Sequence, residues 1–315
     1  MRAFVPPFRF TSFFSPEDTL LCMIAAEASL SHARSPGNLP GREPLRIAEL
    51  TSGSGLIGLH LLRIERNSTL LGLDLDPSAA SVAAGNAEIL SLTRRTRFTH
   101  ADLKSRNTEN LLLSEKLQLL VCNPPYVPEP PGGGLPVEAG AGPDGTAHLM
   151  RAVDLARTVR PRAMALSWCS LSDPERVVRE AEEGGYRLNS LFIVLIAGGE
   201  YSGSAGSYLR SLASAFLNDS TETLQAVAPD GSASFGYLLM SGEFSRDRVG
   251  PERREAKASE QIRTICSRFA RRGVATLDSL EASFPVRVWL LDRWDEVRLR
   301  AFLYGEVPQM SVTSV

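Results

Sequence analysis

The stretch "LRIAELTSGSGLIGLHLLRIERNSTLLGLDLDP" (residues 45–77) decides the fold. An apolar run, "LRIAEL" (45–50), ends in a turn of small residues. A helical pattern follows over 55–66, and a second apolar run, "TLLGLDL" (69–75), comes after it. Neither run alternates polar with apolar, so both read as strands buried on two faces, as in a parallel sheet covered by helices. Between them, Gly53 and Gly55 let the backbone approach a ligand closely. The helix that starts there offers free N–H groups.

The same alternation extends outward. Upstream, 15–33 reads as a helix with Ser15 as N-cap, Pro16 in its first turn, and Glu17 and Asp18 at the positive end of its dipole. Residues 34–44 read as a loop. Downstream, a helix over 77–92 opens at Pro77, and strands follow at 96–100 and 116–122. A helix at 145–159, a strand at 162–168, a helix at 173–185 and a strand at 188–197 continue the order. Residues 198–232 are rich in Gly, Ser and Ala and break the rhythm, with a short helix expected at 205–217. The run 233–241 reads as a further strand. Without a good crossover helix before it, it should lie antiparallel to 188–197. The expected class is α/β, a Rossmann-like sheet with a reversed last strand. The expected division is an N-terminal segment and helix (1–44), a central domain (45–241) and a C-terminal appendage (242–315).

Composition narrows the function. With 43% hydrophobic and 22% charged residues, the 315-residue chain has ordinary globular make-up. A formal net charge of −2 provides no global basic field for a long nucleic acid. The four cysteines (Cys22, Cys122, Cys169, Cys266) lack metal-ligand spacing, and Cys122 and Cys169 sit in apolar runs, so they read as buried hydrophobes. The four histidines form no cluster, and no apolar run is long enough to span a bilayer. The start of the chain lacks the apolar core and cleavage site of a secretory signal. A cytoplasmic location is expected, with no metal and no membrane.

Polar residues stand at successive strand ends. Glu49 closes the first strand beside Thr51, Gly53 and Gly55. Asp74 closes the second, 25 residues after Glu49. An acid at that distance suits a ribose diol, because one carboxylate accepts from two hydroxyls. Asp76 directly precedes Pro77 and is the better helix cap, which leaves Asp74 for a ligand. Asp102 and Leu103 follow the third strand in "HADL", where the acid could accept from the amino group of an adenine. The fourth strand ends in Asn123, Pro124, Pro125 and Tyr126. A planar amide or amine nitrogen is a poor nucleophile because its lone pair is delocalised. The Asn123 side-chain carbonyl and the Pro124 backbone carbonyl are two acceptors that can hold its N–H bonds and turn that lone pair toward an electrophile. The prolines preset the geometry, and Tyr126 can stack on a flat group. No general base is required.

Taken in order, "ELTSGSG", "GLDLD", "HADL" and "NPPY" resemble the motifs of class I S-adenosylmethionine-dependent methyltransferases. Within that class the chain resembles the protein-glutamine N5-methyltransferases that modify translation release factors, in particular the eukaryotic/archaeal-type branch. "SPEDTLL" (15–21), "NPPYVP" and "EAGAGPDGTAHLMRAV" (138–153) carry that likeness. The resemblance implies a seven-stranded sheet with a reversed last strand and S-adenosyl-L-methionine as cofactor. It implies cofactor contacts from Thr19, Glu49, Thr51, Gly53, Gly55, Asp74, Asp102, Leu103 and Asn123. Catalytic positions are Asn123, Pro124, Pro125 and Tyr126. It implies a protein substrate, a release factor first. Three features depart from the family. Thr51 replaces the first motif glycine, which puts a Cβ in the cradle. The segment 198–232 is longer than the family's hairpin, and the tail after 242 has no counterpart.

Four functions compete. The first is methylation of a protein glutamine amide. The second is methylation of the exocyclic amine of adenine or cytosine, with the base flipped out. The third is a specialised small-molecule or peptide N-methyltransferase. The fourth is a non-enzymatic scaffold with a decayed cofactor site, which Thr51 motivates.

Overall fold

The computed structural model describes residues 9, 15–34, 43–197, 208–209, 225–227, 233–246, 258–272, 287–291 and 312–314. Most of the expected 205–217 helix, and much of 198–232 and of the tail, lies outside them. Seven helices and ten strands are described. The helices are α1 (Pro16–Ala33), α2 (Leu56–Ile64), α3 (Pro77–Ile89), α4 (Arg106–Ser114), α5 (Ala147–Val159), α6 (Pro174–Glu183) and α7 (Ala258–Arg272). The strands are β1 (Leu45–Leu50), β2 (Ser68–Asp74), β3 (Thr96–His100), β4 (Leu119–Cys122), β5 (Ala163–Cys169), β6 (Tyr186–Ala197), β7 (Gln225–Val227), β8 (Ala233–Arg246), β9 (Arg287–Leu291) and β10 (Val312–Ser314).

The strands form one sheet in the order β10-β9-β6-β8-β5-β4-β1-β2-β3, with β7 paired to β8. The pairs β3/β2, β2/β1, β1/β4 and β4/β5 are parallel. Strand β8 lies antiparallel between β5 and β6, as expected from the sequence. These seven strands are the Rossmann-like methyltransferase sheet with its reversed last strand. Strand β8 runs on to Arg246, five residues past the expected strand end. Beyond it, α7 packs on α6, β9 pairs parallel with β6, and β10 pairs antiparallel with β9. The described part of 242–315 is therefore joined to the sheet.

The sheet interior is apolar on both faces, and β5 is buried along its whole length, Ala163–Cys169. Helix α1 covers β5 and β8 with Leu20, Leu21, Met23, Ala25 and Ala26, all at most 2% exposed. Two local expectations differ. The side chain of Ser15 does not cap the α1 backbone; instead Thr19 donates from both its N–H and its hydroxyl to the Ser15 carbonyl. Strand β4 starts at Leu119 rather than 116, because Lys116 takes a left-handed turn at φ 51° on leaving α4.

The strand order changes direction between β1 and β4. From β1 the chain builds toward β2 and β3, and from β4 toward β5. Outside the carboxyl ends of these two strands lies the crevice where open α/β sheets bind ligands. The register aligns the two tips: Glu49 is level with Val121, and Leu50 with Cys122.

Candidate active site

Asn123 leaves the tip of β4 beside Thr51 at the tip of β1. The Thr51 hydroxyl lies 2.5 Å from the Leu50 carbonyl oxygen and 3.1 Å from that of Asn123, and donates between them. Thr51 adopts φ 54°, a left-handed value that is uncommon for a β-branched residue. Its hydroxyl thus ties two strand ends together, which a glycine could not do.

The Asn123 side-chain oxygen is buried and has no hydrogen-bond partner. A buried amide oxygen without a donor costs about 1–3 kcal/mol. A donor supplied by a ligand is one way such an atom is satisfied. Pro124 is buried beside it, and Pro125 is half-buried.

Tyr126 is 6% exposed and points back into the fold. Its hydroxyl donates to Asp18 on the first turn of α1. Burial raises Asp18 to about 6, against the opposing hydrogen bonds from Tyr126 and Ser15. Burial likewise pushes the Tyr126 phenol well above its ordinary range, with the Asp18 charge adding to it. Asp18 thus stands at the candidate site. The sequence presents it only as a charge favouring the helix dipole, since the meeting of α1 with the β4 tip is a long-range contact.

The loop after Tyr126 is pinned in place. Val127 and Ala139–Ala141 exchange backbone hydrogen bonds, Val127 N–H to Ala139 and Ala141 N–H to Val127. Gly145 returns directly over the Tyr126 carbonyl at φ 69°. A Cβ there would lie 2.5 Å from that oxygen, so the site admits no side chain.

The cofactor side is equally ordered. Glu49 is 2% exposed and accepts from the Gly58 N–H at 3.0 Å. Burial pushes its carboxyl up to about 8, opposed by hydrogen bonds from the α2 backbone and reinforced by Asp74. Asp74 accepts from Gly53 N–H at 2.7 Å and from Asp76 N–H at 2.9 Å. A carboxylate offers about four lone-pair sites, so two remain for a ligand. Asp76 caps α3 through Ser78 N–H, the role expected for it from the sequence. Gly53 and Gly55 both take positive φ, 48° and 72°. Asp102 is exposed; it accepts from Lys104 N–H, and its carbonyl accepts from Thr108. The adjacent Leu103 is buried, and its carbonyl is held by Arg151. Thr19 is 9% exposed one position along from Asp18. The structure thus brings the β1, β2 and β4 tips to one crevice edge, with α1 closing it from the side.

Among the described residues no group of His, Cys, Asp and Glu is placed to hold a metal, and no helix is long and apolar enough to cross a membrane. All four cysteines are buried free thiols. Burial raises Cys22 and Cys266 to about 12 and Cys169 to about 11, and raises Cys122 further, so none is a ready nucleophile.

No family model matches the chain. It is 35% identical over 95 residues to the release factor glutamine methyltransferase of Bacillus anthracis, covering 30% of this chain and 32% of that one. It is 25% identical over 119 residues to a tRNA1(Val) (adenine(37)-N6)-methyltransferase of Porphyromonas gingivalis, covering 38% and 47%. The matches therefore span a third to a half of these relatives' length. Among solved structures, the E. cuniculi Mtq2–Trm112 complex superposes with a TM-score of 0.38 at 19% identity, over 73% of this chain and 97% of that one. The sheet order of this chain is that of the Rossmann-like methyltransferases, and its sequence resembles the release factor glutamine methyltransferases.

Proposed function

We propose that the chain is an S-adenosylmethionine-dependent N-methyltransferase whose acceptor is a planar nitrogen, first of all a glutamine side chain in a translation release factor. One observation carries the reading: a buried, unpartnered amide oxygen on Asn123, at the strand tip beside a glycine-lined cradle. Asp74, Glu49 and the positive-φ turn at Gly53–Gly55 would hold the cofactor, which when bound supplies an electrophilic methyl group on a sulfonium. The Asn123 Oδ1 and the Pro124 carbonyl accept the two N–H bonds of the acceptor nitrogen. That holds the nitrogen plane and turns its lone pair toward the methyl. The prolines keep both acceptors in place before substrate arrives, so little reorganisation is needed. Tyr126 is fixed by Asp18 and anchors the end of the Asn123–Pro125 stretch. After transfer, the nitrogen loses its extra proton to water.

Thr51 is compatible with an active site: its hydroxyl holds the Asn123 carbonyl at the tip of β4. The reading is tested by incubating the protein with labelled S-adenosylmethionine and a purified release factor. Label on the glutamine of its Gly-Gly-Gln loop is expected, and its absence counts against the protein substrate. The similarity to adenine-N6 enzymes favours one second reading, an exocyclic base amine, served by the same two acceptors. Transfer of the label to RNA, in a parallel reaction with tRNA and no release factor, would select it.

A further inference from the structure

One buried side chain has no part in the chemistry above. Asn86 on α3 is 0% exposed. Its Oδ1 accepts from the Arg9 N–H at 2.8 Å, and its Nδ2 donates to the Arg9 carbonyl at 2.8 Å. The same Nδ2 donates to the Ser54 carbonyl at 2.9 Å. Both amide hydrogens and one oxygen lone pair are thus spent on the backbone of two remote segments. Arg9 is 77 residues from Asn86, and Ser54 is 32 residues away, inside the β1–α2 turn.

We propose that Asn86 is a positioning residue that clamps the backbone of Arg9 to the cofactor turn at Ser54, so that the two are held as one unit. Only an amide of this length serves. Asp cannot donate and would face two carbonyls with a negative charge. Leu could make none of the three bonds. The turn is rigid on its other side too. Gly53 N–H is held by Asp74, Gly55 N–H donates to the Ser52 carbonyl at 2.7 Å, and a Cβ on Gly55 would come within 2.9 Å of Ala83 and Phe98. Ala83 stands one turn before Asn86, so α3 seats the turn with one residue and anchors its carbonyl with the other. Loss of the clamp therefore loosens the turn and frees Arg9 together.

The cofactor half of this inference rests on the methyltransferase reading; the clamp itself does not. Two variants test it: Asn86→Ala, which deletes the amide, and Arg9→Pro, which leaves the amide and removes the backbone N–H it accepts from together with the Arg9 side chain. In the ligand-free protein, amide exchange should accelerate at Gly55 in both variants. With S-adenosylmethionine, calorimetry should show each variant binding about five- to tenfold more weakly, as expected for one or two neutral hydrogen bonds. The double variant should be no weaker than Asn86→Ala alone. At saturating cofactor the turnover number should stay within about twofold while the cofactor KM rises. Unchanged exchange at Gly55 in Arg9→Pro would overturn the clamp, as would a double variant weaker by the product of the two effects. Failure of the unaltered protein to bind S-adenosylmethionine would sink the methyltransferase reading instead, and the exchange data would still decide the clamp.

Discussion

Glu49→Gln should stabilise the ligand-free protein, and by an amount that grows with pH. Glu49 is buried at the end of β1, and burial raises its carboxyl from an ordinary 4.5 to about 8. The folded state thus holds a proton that the unfolded state releases above 4.5. Below that value both states are protonated, and the residue contributes nothing to the pH dependence. Between 4.5 and about 8 the unfolded chain is favoured by about 1.4 kcal/mol per pH unit. Over the whole window that amounts to about 3–5 kcal/mol, allowing for local relaxation around the ionised group. Above about 8 the loss levels off. Glutamine does not titrate, and its oxygen can keep the Gly58 N–H bond. Urea unfolding of both proteins at pH 5, 7 and 8.5 measures the difference. It should be within about 1 kcal/mol at pH 5 and reach about 3–5 kcal/mol in favour of the variant at pH 8.5. A second consequence concerns the cofactor. If the Glu49 carboxylate accepts from it, binding expels the proton, so affinity should climb toward pH 8 and lose that slope in Glu49→Gln. A stability difference independent of pH, or a variant less stable at pH 8.5, would refute the reasoning.

The remaining predictions concern the catalytic loop. Tyr126→Phe removes the hydroxyl that donates to Asp18, which already sits at about 6 because of burial. The variant should lose about 1–3 kcal/mol at pH 8, where Asp18 is ionised, and little at pH 4, where it is protonated in the folded state; an equal loss at both pH values would contradict the contact. Gly145→Ala forces a Cβ to 2.5 Å from the Tyr126 carbonyl at φ 69°. It should cost about 2–4 kcal/mol by thermal unfolding, and a neutral result would mean that the loop sits elsewhere. Thr51→Val keeps the shape but drops the hydroxyl that joins the β1 and β4 tips. A loss of about 1–2 kcal/mol is expected, with weaker turnover, whereas Thr51→Ser should retain most of both.

Much of the site was legible because it follows from strand ends. The alternation of buried strands and helices implies parallel pairing, and parallel pairing puts every carboxyl end on one side. Residues that close strands, namely Glu49, Asp74 and Asn123, therefore converge whatever the details of packing. The role of Asp76 as the cap of α3 was also readable, because Pro77 marks the helix start. What stayed hidden depends on contacts between distant segments. Asp18 meets Tyr126 only once α1 lies across the β4 tip. Asn86 reads as an ordinary polar residue in α3 until Arg9 arrives beside it. Helix α4 was missed since its nine residues hold a single apolar triplet, Leu111–Leu113, too short to show a helical period. The strands β9 and β10 pair with an edge whose sequence does not announce what will cover it.

The central claim is that two carbonyl oxygens at the end of β4 aim a reluctant nitrogen. Single-turnover methyl transfer by Asn123→Ala, at saturating S-adenosylmethionine, tests it most directly. The account predicts a rate lower by about 10²–10³, the size seen when one preorganised hydrogen-bonding group is removed, with cofactor affinity within a few fold of the parent. A rate within a few fold of the parent would contradict it.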